Sequence, residues 1–182
     1  IQAMAPQAQV TYIDGSDPKA AAAAAKGADM AIVFAWAWFT EAQDPESMAL
    51  PDNQDALIET VARANGRTLV VMETGGPVLM PWVDKVPAIL QAWYPGQRGG
   101  EAIANIIFGE VAPSGRLPIT FPTRAAQAPR PEPVGLGELH AAELSEQAPA
   151  AHGPGRAGRG QVGGALGAAG DGVAAQALGG LR

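Results

Sequence analysis

One segment of the chain combines aromatic rings with carboxylates. Residues 36–47 hold three aromatic and three acidic side chains, directly after the apolar run 30–35. Aromatic rings stack on the apolar faces of sugars, and carboxylates act as acid and base on glycosidic bonds. Glu41 lies among these rings, where partial desolvation would favour the protonated carboxyl that a general acid needs. The segment predicts a sugar site, and the alternative is a solvated acidic loop with one Trp in the core.

Two further loops carry residues that could bind a ligand. Residues 74–77, Thr-Gly-Gly-Pro, follow an apolar run and could form a phosphate-binding turn, although the spacing lacks the glycine fingerprint and the lysine of nucleotide-binding loops. Residues 93–101 place Trp93 and Tyr94 before a glycine-containing turn. That turn is either part of a pocket wall or a strand-to-helix connection whose glycines allow close packing.

Composition excludes several classes of site. The chain has 182 residues, no cysteine and a formal net charge of −6. The missing cysteines exclude disulfides, thiolate metal sites and a Cys nucleophile, and the acidic balance argues against nucleic-acid binding. Both histidines, His140 and His152, lie in the last third of the chain. The first 124 residues therefore contain neither a Ser-His-Asp triad nor a histidine-based zinc site, and we expect no metal or cofactor.

Strands and helices alternate along the first 124 residues. Asp17 followed by Pro18 predicts a helix start, and continuous apolar runs predict strands that are covered on both faces. The predicted strands are 10–13, 30–35, 68–72, 88–93 and, as an edge strand with two prolines, 117–121; the predicted helices are 19–25, 53–64 and 99–108. This order predicts an α/β fold, a mostly parallel sheet with helices on both faces, whose ligands bind beyond the carboxyl ends of the strands.

The start of the chain and its last third differ from the alternating strands and helices in composition or pattern. Residues 125–182 form an Ala/Gly/Pro-rich tail without aromatic residues, and the composition predicts disorder. We therefore divide the chain into a folded domain, 1–124, and the tail, 125–182. The chain starts at Ile1 without a signal-like pattern, so we expect that its natural start is missing. No apolar run is long enough to span a membrane.

Five motifs occur in an order and spacing that match a known family. They are Ala28–Phe34, Leu50–Ile58, Thr74–Trp82, Ala92–Gly100 and Pro113–Pro122. Together they closely resemble the C-terminal α/β-sandwich domain of glycoside hydrolase family 3, which includes β-glucosidases, β-xylosidases and exo-glucanases. The resemblance covers roughly residues 5–137.

The resemblance implies a retaining mechanism with two carboxylates. The nucleophile is an Asp on a preceding (β/α) barrel domain, which this chain lacks, and the acid/base is a Glu on a loop of the sandwich domain. Glu41 falls on that position, and Asp44 falls on an acidic position of the same motif. Ala42 and Pro45 stand where family members often have Gly and Arg. Trp36, Trp38 and Trp93 would line the sugar pocket together with Asp44.

The resemblance also implies the partners of this chain. They are a β-linked oligosaccharide or glucoside and the separate barrel domain, with no nucleic acid and no membrane. Without the barrel, the isolated chain is expected to be a poor hydrolase. Family members are often exported, which favours a periplasmic or secreted location. Two alternatives are a non-catalytic carbohydrate-binding or barrel-partner module and a nucleotide-binding α/β domain.

Overall fold

The computed structural model describes residues 1–42, 45, 47–128 and the backbone of 174–179. Its strands are β1 (Gln9–Ile13), β2 (Met30–Ala37), β3 (Thr68–Thr74), β4 (Ala88–Gln91) and β5 (Ala174–Gly179). Its α-helices are α1 (Pro18–Lys26), α2 (Gln54–Ala64) and α3 (Gly99–Ile107). Short 3₁₀ turns lie at Val83–Lys85 and Ala125–Gln127.

The strands form one mostly parallel sheet in the order β1-β5-β2-β3-β4. β3 pairs in parallel with both β2 and β4, whereas β5 is antiparallel to β1 and β2. One face of the sheet packs against α1 and α2 through a core that includes Val33, Val70 and Ile58. The other face packs against α3, where Ile103 meets Ile32 and Val71. The predicted α/β fold class, with helices on both faces, is confirmed.

Local sequence signals explain where α1 begins. The Asp17 carboxylate accepts hydrogen bonds from the Lys19 and Ala20 N–H groups at 2.8 and 3.3 Å, and Pro18 occupies the first helical position. A side-chain acceptor at the cap satisfies N–H groups that have no partner within the helix. The helix ends before Gly27, close to the predicted boundary.

Two parts of the predicted element order differ from the structure. Residues 117–121 form no strand: Leu117 and Ile119 are exposed, while Phe121 packs against the core between the sheet and α1 and α2. The prolines at 118 and 122 cannot donate to a ladder, although the Pro122 carbonyl accepts from the Met80 N–H at 2.9 Å. The prediction of a strand there is wrong.

The second difference is β5, which lies within the tail 125–182 that composition predicts to be disordered. Its six residues pair with β1 on one side and with β2 on the other. The rest of the tail beyond residue 128 lies outside the described residues, so the division at residue 124 stays a prediction. Within the part of the chain that the structure describes, no helix has the length and apolar character needed to cross a membrane.

Candidate functional site

Three loops leave the carboxyl ends of neighbouring strands at one edge of the sheet. β2, β3 and β4 end at Ala37, Thr74 and Gln91, and the loops after them begin at residues 38, 75 and 92. These are the loops in which the sequence places its candidate residues. Open parallel sheets bind ligands at this edge. The contacts among the three loops therefore decide what the site can do.

Tyr94 joins all three loops. Its hydroxyl accepts a hydrogen bond from the Phe39 N–H at 2.6 Å and lies 3.3 Å from the carbonyl oxygens of Ala37 and Phe39. Its ring stacks on Trp38, with centroids 5.5 Å apart and planes at 28°. A Cβ on Gly75 would lie 2.6 Å from the Tyr94 hydroxyl oxygen, so the ring rests directly on that glycine.

Trp36 is held at the end of β2 by a buried amide. The Gln54 side chain, which is fully buried, accepts from the Trp36 N–H at 2.8 Å and donates to the Trp36 carbonyl at 2.9 Å. The Trp36 side chain is half-buried and belongs to the sheet face that packs on α3. Its backbone geometry is thus determined by α2 as well as by the sheet.

Trp38 and Trp93 lie in different environments. Trp38 is 72% exposed, so its ring is available to a ligand. Trp93 is half-buried and contacts Phe121 edge to face, with centroids 6.1 Å apart. Its backbone adopts φ 56°, a left-handed conformation that is costly for a non-glycine residue. Of the three predicted sugar-stacking residues, Trp38 is the most open to solvent.

Glu41 is exposed at this edge, two residues after the Phe39 amide that Tyr94 binds. The aromatic residues before it do not shield its carboxylate from water within this domain, contrary to the expected partial desolvation. Ala42, next to it, has φ 61°. Glycine, which the resemblance implies at this position, adopts such a conformation without a steric penalty. Asp44, the other acidic residue of the predicted site, lies outside the described residues.

The sequence did not single out two polar side chains that the structure places at this edge. Burial raises the pKa of Glu73, a half-buried residue that pairs in register with Trp36 and has no hydrogen-bond or ion-pair partner among the described residues. Gln91 donates to the Thr74 carbonyl and hydroxyl at 3.2 and 3.1 Å, while its own buried oxygen accepts no hydrogen bond within the described part. The sequence feature that could have identified both Glu73 and Gln91 is a charged or amide residue near the end of an apolar strand.

The turn at residues 74–77 has no open cradle for a phosphate. The Thr74 hydroxyl donates to the Gly76 carbonyl at 2.9 Å, and the Tyr94 ring occupies the space above Gly75. Among the described residues, no three His, Cys, Asp or Glu side chains are placed to hold a metal ion. The alternative of a nucleotide-binding turn therefore finds no support in this geometry.

A cavity of about 330 Å³ lies at the opposite edge of the sheet. Residues at the amino ends of β2, β3 and β4 line it, among them Met30, Arg67 and Leu69. In parallel sheets this end carries connections and packing, whereas ligands bind at the carboxyl end. The candidate site is therefore the edge with the exposed aromatic residues.

The fold and this edge define an α/β domain that presents a carboxylate and aromatic rings at the carboxyl ends of parallel strands. The family model described as "Glycosyl hydrolase family 3 C-terminal domain" matches residues 1–150. The chain belongs to this family, as the five sequence motifs predict.

The similar proteins are β-glucosidases that are much longer than this chain. It is 55% identical over 85 residues to a β-glucosidase of Rhizobium radiobacter, which covers 47% of this chain and 10% of that protein. It is 52% identical over 110 residues to β-glucosidase B of Emericella nidulans, covering 58% and 13%. The crystal structure of DesR, a β-glucosidase from Streptomyces venezuelae in complex with D-glucose, matches with a TM-score of 0.57 and 47% identity, covering 59% of this chain and 14% of DesR. The chain thus spans between a tenth and a seventh of these relatives.

Proposed function

We propose that this domain is part of a retaining, exo-acting β-glycosidase of the β-glucosidase type that hydrolyses terminal β-glycosidic bonds. Glu41 is its general acid/base, and Trp36, Trp38, Asp44 and Trp93 contribute to the sugar pocket. The substrate is a β-linked oligosaccharide or glucoside, and a (β/α) barrel supplies the nucleophilic Asp. The observation that carries this proposal is the placement of exposed Trp38 and Glu41 together at the carboxyl edge of the sheet.

The chemistry explains why Glu41 is exposed in this domain. In a retaining enzyme, the nucleophile attacks the anomeric carbon while the acid gives its proton to the departing oxygen. The resulting carboxylate then takes a proton from water, which displaces the nucleophile. The two carboxyl groups lie about 5–5.5 Å apart across the sugar. A residue that meets both a sugar and a second domain must face outward from its own domain, as Glu41 does.

A chimera tests the role of Glu41. The matching segment of the Rhizobium radiobacter β-glucosidase is replaced by the corresponding part of this chain, and two β-glucosides with good and poor leaving groups are compared. Glu41→Gln should lower turnover of the poor leaving group by about 10²–10⁴-fold, since that group needs a proton. It should affect formation of the glycosyl-enzyme from a dinitrophenyl glucoside much less. Equal losses in kcat/KM, which reports formation of the glycosyl-enzyme, on both substrates, or no loss, would contradict the role of Glu41.

Two controls accompany this experiment. Glu110→Gln removes an exposed carboxylate that follows α3, and it should leave both rates unchanged. The isolated chain should not hydrolyse either glucoside, because it contributes only one of the two carboxyl groups. Hydrolysis by the isolated chain that is lost on Glu41→Gln would overturn the assignment of the nucleophile to a barrel.

A second candidate is a non-catalytic carbohydrate-binding or barrel-partner module. The exposed Trp38 ring stacked on Tyr94 favours it, because such a pair is a flat platform for a sugar ring. Titration of the chain with glucose and cellobiose separates the two candidates. Binding that survives Glu41→Gln, together with an inactive chimera, would support the module.

A further inference from the structure

β2 pairs with β3 up to Ala37, and one side chain binds the backbone just beyond that residue. Beyond Ala37 the chain leaves the ladder with β3, so its backbone groups need other partners. Tyr94 provides them from 55 residues further along the chain, with its oxygen accepting from the Phe39 N–H and its proton directed to Ala37 or Phe39. One hydroxyl thereby fixes the backbone on both sides of residue 38.

The position of the Tyr94 ring depends on a close approach to β3. The ring is so close to Gly75 that a Cβ there would lie 2.6 to 2.8 Å from three atoms of the phenol group. Real Cβ atoms do not come this near to other heavy atoms, so an alanine would force the ring to move. Gly75 is therefore required for the contact between Tyr94 and the end of β2.

A left-handed backbone conformation at Trp93 directs Tyr94 towards the end of β2. Trp93, the residue before Tyr94, has φ 56°, a left-handed conformation that is costly for a non-glycine residue. The edge-to-face contact of Trp93 with Phe121 holds the strained residue against the core. Strain of this kind persists where the surrounding structure fixes it, and it occurs most often at functional sites.

From these contacts we infer that Tyr94 is a positioning residue for Glu41, an inference that rests on the proposed function of Glu41 as the acid/base. Tyr94 fixes the peptide of Phe39, and only Thr40 separates Phe39 from Glu41. An acid/base must lie within hydrogen-bond reach of the glycosidic oxygen, so an error of about 1 Å in its loop would slow the reaction severely. The phenol hydroxyl does not itself take part in proton transfer.

The first test measures the anchor in the chain itself, without any activity. Amide hydrogen exchange is followed by NMR in the parent, in Tyr94→Phe and in Gly75→Ala. We expect exchange at Phe39 to become at least about ten-fold faster in both variants, with the Val70 amide of β3 unchanged. Gly66→Ala is the matched control, because nothing lies within 4 Å of a Cβ at that glycine. Unchanged exchange at Phe39, or equal acceleration at Phe39 and Val70, would overturn the inference.

The second test uses the chimera and separates this inference from the proposed function. Tyr94→Phe should lower kcat/KM, which reports formation of the glycosyl-enzyme, by about ten-fold or more for the poor leaving group and leave it nearly unchanged for the dinitrophenyl glucoside. A purely structural role would lower both rates alike and overturn the inference. If Glu41→Gln shows the leaving-group dependence and Tyr94→Phe does not, the inference alone is wrong. If neither variant shows it, the proposed function is wrong as well.

Discussion

The two edges of the sheet differ in backbone strain and in whether every buried polar atom has a partner. At the amino edge, the buried Asn65 side chain donates to the Ala25 and Ala28 carbonyls and accepts from the Arg67 N–H, each at 2.8 Å. At the carboxyl edge, the Gln91 oxygen accepts no hydrogen bond within the described part, and Trp93 has a left-handed backbone. Satisfied polar groups stabilise a fold, whereas strain and unsatisfied groups indicate a site that awaits a partner. On the function proposed above, the carboxyl edge is the one that meets the sugar and the barrel.

The largest effect on stability is expected at the amino edge. Asn65→Ala removes both donors and the acceptor of the side chain, so two carbonyls and one N–H lose their partners. We expect the free energy of unfolding to fall by about 2–4 kcal/mol, measured by urea denaturation. Gln97→Ala, which truncates an exposed amide at the other edge, should change it by less than about 0.5 kcal/mol. Similar losses in both variants would remove the contrast between the edges.

Relief of strain at the carboxyl edge should stabilise the domain. Ala42→Gly releases a left-handed conformation that costs about 1–2 kcal/mol, against about 0.5–1 kcal/mol for the greater freedom of glycine in the unfolded chain. A gain of about 0.5 to 1 kcal/mol is expected in thermal or urea unfolding. The same substitution at Ala23, exposed within α1, should instead cost about 1 kcal/mol. A loss at both positions would show that residue 42 is not strained.

A smaller, pH-dependent effect is expected for the half-buried carboxyl of Glu73. Because burial raises its pKa, the folded state holds this proton more tightly than the unfolded chain does. The contribution of Glu73 to the free energy of unfolding is therefore most favourable below about pH 4.3, the ordinary glutamate pKa. It becomes less favourable as the pH rises through the pKa of the folded state.

Glu73→Gln removes this titration. Its advantage in free energy of unfolding over the parent should grow between pH 4 and pH 7.5, as measured by urea denaturation at several pH values. Glu73→Leu should show the same trend, since it also lacks the charge. A difference that stays constant with pH in both variants would contradict burial as the cause.

The smallest change in stability is expected at Trp38. Its side chain is 72% exposed, so Trp38→Ala should cost less than about 1 kcal/mol, mainly the stacking on Tyr94. In the chimera the same variant should raise KM for cellobiose about five-fold, which corresponds to about 1 kcal/mol. Trp82→Ala is the matched control, because that side chain is fully buried and donates to Asp55 at 2.7 Å. A large loss of stability in Trp38→Ala with an unchanged KM would show that Trp38 stabilises the fold and does not bind the sugar.

The sequence predicts most of the elements but not all of their partners. The start of α1 follows from Asp17 and Pro18 because capping is local, and the apolar runs of β2 and β3 are predicted because both faces of those strands are buried. The strand predicted for 88–93 ends at Gln91, two residues early, since Trp93 turns to a left-handed backbone. Composition gives no sign of β5, because its pairing with β1 and β2 depends on residues more than 130 positions away in the chain.

The candidate site is predicted to a similar extent. The motif places Glu41 and Trp38 in the loop after β2, at the edge where the carboxyl ends of the parallel strands lie together. The turn at residues 93–101 is a closely packed strand-to-helix connection, and its role as a pocket wall stays a prediction. Gly99 packs so closely on Pro95 that a Cβ would lie 2.6 Å from it, and Tyr94 reaches the other loops. The role of Gln54 depends on its contact with Trp36 in a separate element, so no local pattern indicates it.

The sequence by itself determined most of the helices and strands of this domain, its family and the loop that bears Glu41, because these depend on neighbouring residues and on motif spacing. Only the tertiary structure decided that Tyr94 meets the Phe39 amide and that Gly75 makes room for it. Those contacts join residues tens of positions apart. They form only when strands β2, β3 and β4 lie side by side, and the arrangement of the strands is a property of the packed core.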